Sequence, residues 1–133
     1  MKIKIITEHG KIDAEIDDSK NSKNPRTVKA IIEALPIISR ANRWGDEIYF
    51  EIPVKLAEEN AQLDMEIGDI AYWPPGHALC IFFGRTPVST SDKPRIYSPG
   101  NVIGHIKNIT NKNIEILRKV KDGEKIRIEA WKA

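Results

Sequence analysis

The chain begins with two stretches in which apolar and polar residues alternate, which predicts β-strands with one buried face. Lys2 to Thr7 and Lys11 to Ile16 have this pattern, and Glu8-His9-Gly10 between them predicts a hairpin turn. The apolar run from Ala78 to Phe83 has tight turns on both sides, which is typical of a strand covered on both faces. Further short strands are predicted near Glu47 to Ile52, Ile70 to Trp73, Val102 to Ile106 and Lys125 to Ala130.

Two segments have helical spacing instead. Asn24-Pro25 suits a helix start, because proline at the first helical position needs no partner for an N–H. The apolar positions from Val28 to Leu35 then lie on one helical face, and a second short helix is predicted from Lys112 to Val120. Seven or eight strands and two helices predict one domain, residues 1–133, whose sheet removes its edges by closing into a barrel capped by the helices.

Composition narrows the possible partners. The 133 residues carry a net charge of +2, from 21 basic and 19 acidic side chains, and this balance argues against a nucleic-acid partner. The apolar runs are too short to cross a bilayer, and the N-terminus lacks the apolar centre of a signal peptide. We therefore expect a cytoplasmic protein with no membrane partner. The single cysteine, Cys80, cannot form an internal disulfide and has a packing role in its apolar run.

The candidate chemistry is sparse. His9, His77 and His105 lack metal-ligand spacing, and no cofactor motif or nucleophile signature is visible, so neither metal nor cofactor is predicted and catalytic residues remain unknown. The aromatic residues could form core or line a groove: Trp44, Trp73, Trp131, Tyr49, Tyr72, Tyr97 and three phenylalanines. Trp73 stands out, because the rigid turn that follows it holds a large ring at a strand end.

Several segments resemble a known family. Gly76 to Thr86, Val102 to Ile106 and Tyr49 to Pro53 are similar to strands of the cyclophilins. Trp-Gly-Asp-Glu-Ile-Tyr-Phe from Trp44, and the segment from Tyr72 to Gly84, are closer still to small bacterial and archaeal cyclophilin-like proteins, a group without an assigned activity. The resemblance covers nearly the whole chain. It implies a mainly β fold, a closed eight-stranded barrel capped by two short helices.

The departures from true cyclophilins fall at the site of their activity. Cyclophilins catalyse rotation about X–Pro bonds with an arginine beside an aromatic pocket, and alignment places Phe50 at the arginine and Cys80 at a pocket phenylalanine. The resemblance therefore implies prolyl isomerase activity that is weak or absent, and a former proline groove that binds a peptide or a small molecule. The predicted lining comprises Phe50, Trp73, Cys80 and Phe82, with Arg43 and His77 at the rim.

Two alternatives remain open from the sequence. A genuine peptidyl-prolyl cis-trans isomerase could use a relocated arginine, with Arg40, Arg43 and Arg85 as candidates near turns. A scaffold protein could associate through an exposed strand edge or through the basic C-terminal third of the chain. In either case we expect a monomer or a weak homo-oligomer.

Overall fold

Ten strands and two α-helices make up most of residues 1–131, the part of the chain that the computed structural model describes. In chain order they are β1 (Lys2–Thr7), β2 (Gly10–Ile16), α1 (Pro25–Ala34), β3 (Ile37–Arg40), β4 (Asn42–Arg43), β5 (Glu47–Glu51), β6 (Gln62–Asp64), β7 (Asp69–Trp73), β8 (Ala78–Phe82), β9 (Arg95–Ile106), α2 (Asn111–Lys119) and β10 (Lys125–Ala130). A short 3₁₀ turn, Pro74–Gly76, joins β7 to β8. The predicted mainly β class with two helices is confirmed.

The strands pair antiparallel in the order β3-β10-β1-β2-β9-β7-β8-β5-β4, and β6 pairs with β9 beside this path. The predicted N-terminal hairpin is present, with Thr7 opposite Gly10. Ile5 lies opposite both Ile12 and Ile128, and all three side chains are buried. The alternation of the sequence thus places one face of β1, β2 and β10 against the core.

The predicted closed, eight-stranded barrel is not what the structure shows. Within residues 1–131 there are ten strands, and no backbone ladder joins β3 to β4 or to β5, so the sheet does not close. The two ends approach each other through a side chain, because the Ser39 hydroxyl donates to the Glu51 carbonyl at 2.7 Å. The short strands β3, β4 and β6 have no alternating run long enough to be recognised in the sequence.

Ala41 explains why the ladder is interrupted at this point. Its N–H donates to the Glu124 carbonyl and its own carbonyl accepts from the Gly123 N–H, each at 2.8 Å. Both backbone groups of Ala41 are therefore bound to the turn before β10. The chain changes partner at the next residue, and Asn42 pairs with β5.

Two hydrophobic clusters lie on opposite faces of β7 and β8. The larger one is the main core, and it includes Phe50, Tyr72 and Leu79 together with apolar residues of both helices. The smaller one, here called the outer cluster, comprises Met65, Ala71, Cys80, Phe82 and Ile96. Every residue of β8 is buried because the strand has a cluster on each face. The prediction of a strand covered on both sides is confirmed.

Helix α1 begins differently from the expectation. Asn24 occupies the N-cap position, yet its side chain donates to the Val102 carbonyl at 2.7 Å and makes no capping bond. The carboxylate of Glu59 accepts the N–H groups of Arg26 and Thr27 instead, each at 3.1 Å. Burial by itself raises the pKa of Glu59, but the hydrogen bonds lower it by more, so the net pKa is below the usual value. A distant loop thus caps the helix.

Helix α2 has an ordinary start, because the Thr110 hydroxyl accepts the Asn113 N–H at 3.1 Å. Its inward face buries Leu117 against the main core. None of the helices in residues 1–131 has the length and apolar character needed to cross a membrane.

Candidate functional site

The outer face of β5 is the starting point of the site. Ile48 and Phe50 face the main core, so the intervening Glu47 and Tyr49 lie on the opposite face. The pairing of β5 with β8 sets Glu47 opposite Phe82 and Tyr49 opposite Cys80. A carboxyl group and a phenol ring therefore border the outer cluster.

A cavity of about 230 Å³ opens above this face. We call it the aromatic pocket, and its lining residues are Trp44, Glu47, Tyr49, Trp73, Ile96 and Tyr97. They come from the turn before β5, from β5 itself, from the end of β7 and from the beginning of β9. The walls are therefore held by paired strands and one tight turn.

The Tyr97 ring at the mouth stands nearly perpendicular to both indole rings. The Tyr97 ring is inclined by 77° to Trp44 with centroids 6.1 Å apart, and by 89° to Trp73 with centroids 6.4 Å apart. Tyr97 remains 69% exposed, whereas the indole N–H of Trp73 donates to the Ser98 hydroxyl at 2.7 Å. The pocket is thus aromatic at its mouth and open to solvent there.

The Pro74–Gly76 turn holds Trp73 in place. A Cβ atom on Gly76 would lie 2.7 Å from the Trp73 ring, so only glycine allows the indole to pack on this turn. His77 ends the turn with a left-handed φ of 47°. The expectation that a rigid turn positions Trp73 at a strand end agrees with this geometry.

Glu47 gives the pocket its electrostatic character. The residue is only 3% exposed, and its Oε1 atom has no hydrogen-bond partner among residues 1–131. Burial raises the pKa of the Glu47 carboxyl to about 7, and the adjacent Cys80 thiol lowers it in part. Burial, together with the Glu47 charge, raises the pKa of Cys80 well above its usual value, so the thiol stays neutral. The pocket therefore holds a carboxyl group that titrates near neutral pH.

Arg43 supports the turn beneath Trp44 and does not line the pocket. Its guanidinium donates to the carbonyls of Gly45, Arg118 and Val120 at 2.9 to 3.0 Å. It also lies over the Phe83 ring, 5.1 Å from the centroid. The predicted rim arginine is thus bound to backbone carbonyls of its own turn and of the C-terminal end of α2.

The structure brings together only some of the residues that were predicted to line the binding groove. Trp73 lines the aromatic pocket, and Cys80 and Phe82 lie in the outer cluster with no exposed surface. Phe50 lies in the main core on the opposite face, because strand alternation turns it inward with Ile48. His77 lies in the β7–β8 turn and is not part of the lining. Whether these residues contact a ligand stays a prediction.

Sequence reasoning missed Glu47 and Ile96, and it left Trp44, Tyr49 and Tyr97 undecided between core and groove. A signal for Glu47 was present in the alternation of β5. Glu47 shares a face with Tyr49, and the neighbouring strand β8 is apolar on both faces. A polar residue beside such a strand must be covered, which marks it for attention.

A second group of ionisable side chains lies far from the pocket. Glu8, His9 and Glu124 have ligand atoms within 4.8 Å of one another. His9 Nε2 lies 2.8 Å from the Glu124 carboxylate, which also accepts the Lys121 N–H, so these two side chains already have hydrogen-bond partners. This partly exposed cluster joins the β1–β2 hairpin to the turn before β10.

The fold and the aromatic pocket define a class: a mainly β domain with two helices and a pocket on the outer face of its sheet. The Cyclophilin-like family matches residues 1–129, and the chain belongs to this family. The resemblance seen in the sequence is thereby confirmed. No curated protein matches the chain.

Solved structures that are similar to it include the following two. The hypothetical protein AF2241 from Archaeoglobus fulgidus, known from a solution structure, is 45% identical, with a TM-score of 0.77 over 97% of this chain and 93% of that chain. McbB, solved in complex with tryptophan, is 17% identical with a TM-score of 0.70. The match covers 98% of this chain and 46% of McbB, and at this identity it shows the fold alone.

Proposed function

We propose that this domain binds a small molecule in the aromatic pocket. The observation that supports this most directly is the Oε1 atom of Glu47, which has no hydrogen-bond partner among residues 1–131. A buried carboxyl group with too few hydrogen bonds destabilises a folded protein. Glu47 lines a pocket that opens to solvent, so a ligand that offsets its charge would account for its presence there.

The size of the pocket favours a compact ligand over an extended peptide. Drug-sized ligands occupy pockets of about 300 to 1,000 Å³, and this one has about 230 Å³. Apolar rings with few polar groups are the usual lining of such sites. McbB, which has the same fold, was solved with tryptophan bound, and this supports a fold that can hold a compact aromatic ligand.

Prolyl isomerase activity is proposed to be weak or absent. The alternative needs a guanidinium in the groove, yet Arg43 is bound to three carbonyls and Arg40 donates to the Gly123 carbonyl at 3.2 Å. None of the three candidates, Arg40, Arg43 and Arg85, lines the aromatic pocket. A protease-coupled assay on a proline peptide tests this, and a rate well above background that disappears in Arg43→Ala would restore the isomerase.

The three tryptophans allow a direct test of binding. Trp44 and Trp73 line the pocket, whereas Trp131 lies elsewhere, near Lys2 and Lys4. We expect a screen of small aromatic compounds by ¹H–¹⁵N NMR to shift the indole signals of Trp44 and Trp73 and leave Trp131 unchanged. The Trp131→Ala variant serves as the matched control and should bind like the wild type. Equal shifts at all three indoles, or none for any compound, would argue against the proposal.

A further inference from the structure

We infer that the ligand of the aromatic pocket is an organic ammonium cation and that Glu47 is its counter-ion, which rests on the small-molecule binding proposed above. The inference names the chemical class of the ligand. It depends on three features of the described residues: the arrangement of the rings, the sign of the charge in the lining and the unpaired oxygen.

The rings form a box suited to a cation. Tyr97 is nearly perpendicular to both Trp44 and Trp73, so its ring does not stack on either indole. Tyr49 adds a fourth ring from β5. The faces of aromatic rings carry negative charge density, and ammonium groups bind in cages of such faces. A cation inside this pocket would contact more than one ring.

The lining has charge of one sign only. Glu47 is the acidic residue of the set, and the other five lining residues are uncharged. No arginine is among the lining residues, and two arginines of adjoining segments are engaged elsewhere: Arg43 with backbone carbonyls, and Arg95 at 3.9 Å from the Asp64 carboxylate. An anionic ligand would therefore meet the Glu47 carboxylate without a compensating cation, and the pocket discriminates against it.

The Glu47 carboxylate supplies an uncompensated charge at the pocket wall. Its Oε1 atom has no hydrogen-bond partner from residues 1–131 and is covered by protein atoms, so an ammonium group in the pocket would supply the counter-charge that the carboxylate lacks. A neutral alcohol of the same shape would fill the pocket but leave the carboxylate charge without a counter-ion. Binding of the ammonium compound should therefore exceed that of the alcohol by roughly tenfold or more.

Three probes with one ring and similar chain length test the inference: 2-phenylethylammonium, 2-phenylethanol and 3-phenylpropionate. At about pH 8 we expect the ammonium to bind roughly tenfold more tightly than the alcohol, and the carboxylate to bind least, in NMR titrations followed at Trp44 and Trp73. Glu47→Gln should lose this tenfold preference while its affinity for the alcohol stays the same. The matched control is Glu51→Gln, which changes an exposed carboxyl on the same strand and should alter neither.

A second pair of variants tests the rings without changing Glu47. Tyr97 is largely exposed, so Tyr97→Ala should fold and lose about fivefold or more of the ammonium affinity, whereas Tyr97→Phe should retain most of it. Equal binding of the ammonium and the alcohol to the wild type would overturn the cation inference and leave small-molecule binding intact. Failure of all three probes and of the wider screen to shift Trp44 or Trp73 would overturn both.

Discussion

The difference in free energy of unfolding between Glu47→Gln and the wild type should shift in favour of the variant as the pH rises. In the unfolded chain this carboxyl ionises near its ordinary pKa of 4.5, whereas in the folded domain its pKa is about 7. Between these values the folded state holds the extra proton, so the free energy of unfolding of the wild type falls as the pH rises. Glutamine cannot ionise, and the variant does not undergo this loss.

The magnitude follows from the two pKa values. Each pKa unit corresponds to about 1.36 kcal/mol, so the rise from 4.5 to about 7 corresponds to about 3 kcal/mol for this residue, which is only 3% exposed. The loss is absent below about pH 4.5 and complete above about pH 7. For a domain of this length, about 3 kcal/mol corresponds to roughly 10 °C in Tm.

Urea unfolding followed by tryptophan fluorescence, at about pH 4.5 and about pH 8, measures this effect. The buried glutamine amide has its own cost, which does not depend on pH, so the quantity of interest is the change in the difference between variant and wild type. Glu51→Gln, on the exposed end of the same strand, should show no such change. A Glu47→Gln difference that stays constant across this pH range would refute the account of a destabilised carboxyl group.

Three further outcomes are expected. The affinity of the wild type for 2-phenylethylammonium should rise as the pH approaches about 7 and then level off, because Glu47 becomes ionised while Cys80 stays a neutral thiol. Calorimetry on the wild type and on Glu47→Gln checks this, and the variant should show no rise. Arg43→Ala should lower the free energy of unfolding by about 2 kcal/mol, since three carbonyls lose their donor, whereas Arg85→Ala should stay within about 0.5 kcal/mol in the same urea titration. Glu59→Ala should lower the free energy of unfolding by about 1 kcal/mol because it removes the cap of α1, whereas Glu58→Ala, a change at an exposed neighbour, should be nearly neutral. Equal effects of the two variants, in the arginine pair or in the glutamate pair, would contradict the assigned contacts.

Elements with a clear local periodicity could be predicted from the sequence: the N-terminal hairpin, both helices and the doubly covered strand β8. The longest strand, β9, was predicted only from Val102 onward, because its first half has no clear alternation. The strands β3, β4 and β6 are too short to show a clear alternation, and they form because other strands offer hydrogen bonds. The predicted closure failed for a similar reason, since the change of partner at Ala41 depends on the distant Gly123–Glu124 turn.

The candidate site was only partly predictable. Trp73 could be identified because its proline turn is local, whereas Phe50 was assigned to the lining although its alternation with Ile48 turns it inward. Tyr97 reaches the pocket from β9, which follows a long loop, and no local pattern relates it to Trp44. The role of Glu47 depends on the register between β5 and β8, which is a property of the folded sheet.

Most walls of the aromatic pocket project from strands that are paired with their neighbours, and Trp44 projects from the tight turn before β5. A ligand that enters a pocket with such walls orders few protein residues on binding, so less of the contact free energy is lost to ordering. The side chains that select the ligand can therefore change without a change in the sheet that carries them. Exchanging one wall side chain, such as the exposed Tyr97, would alter which compound fits without disturbing the main core on the other face of the sheet.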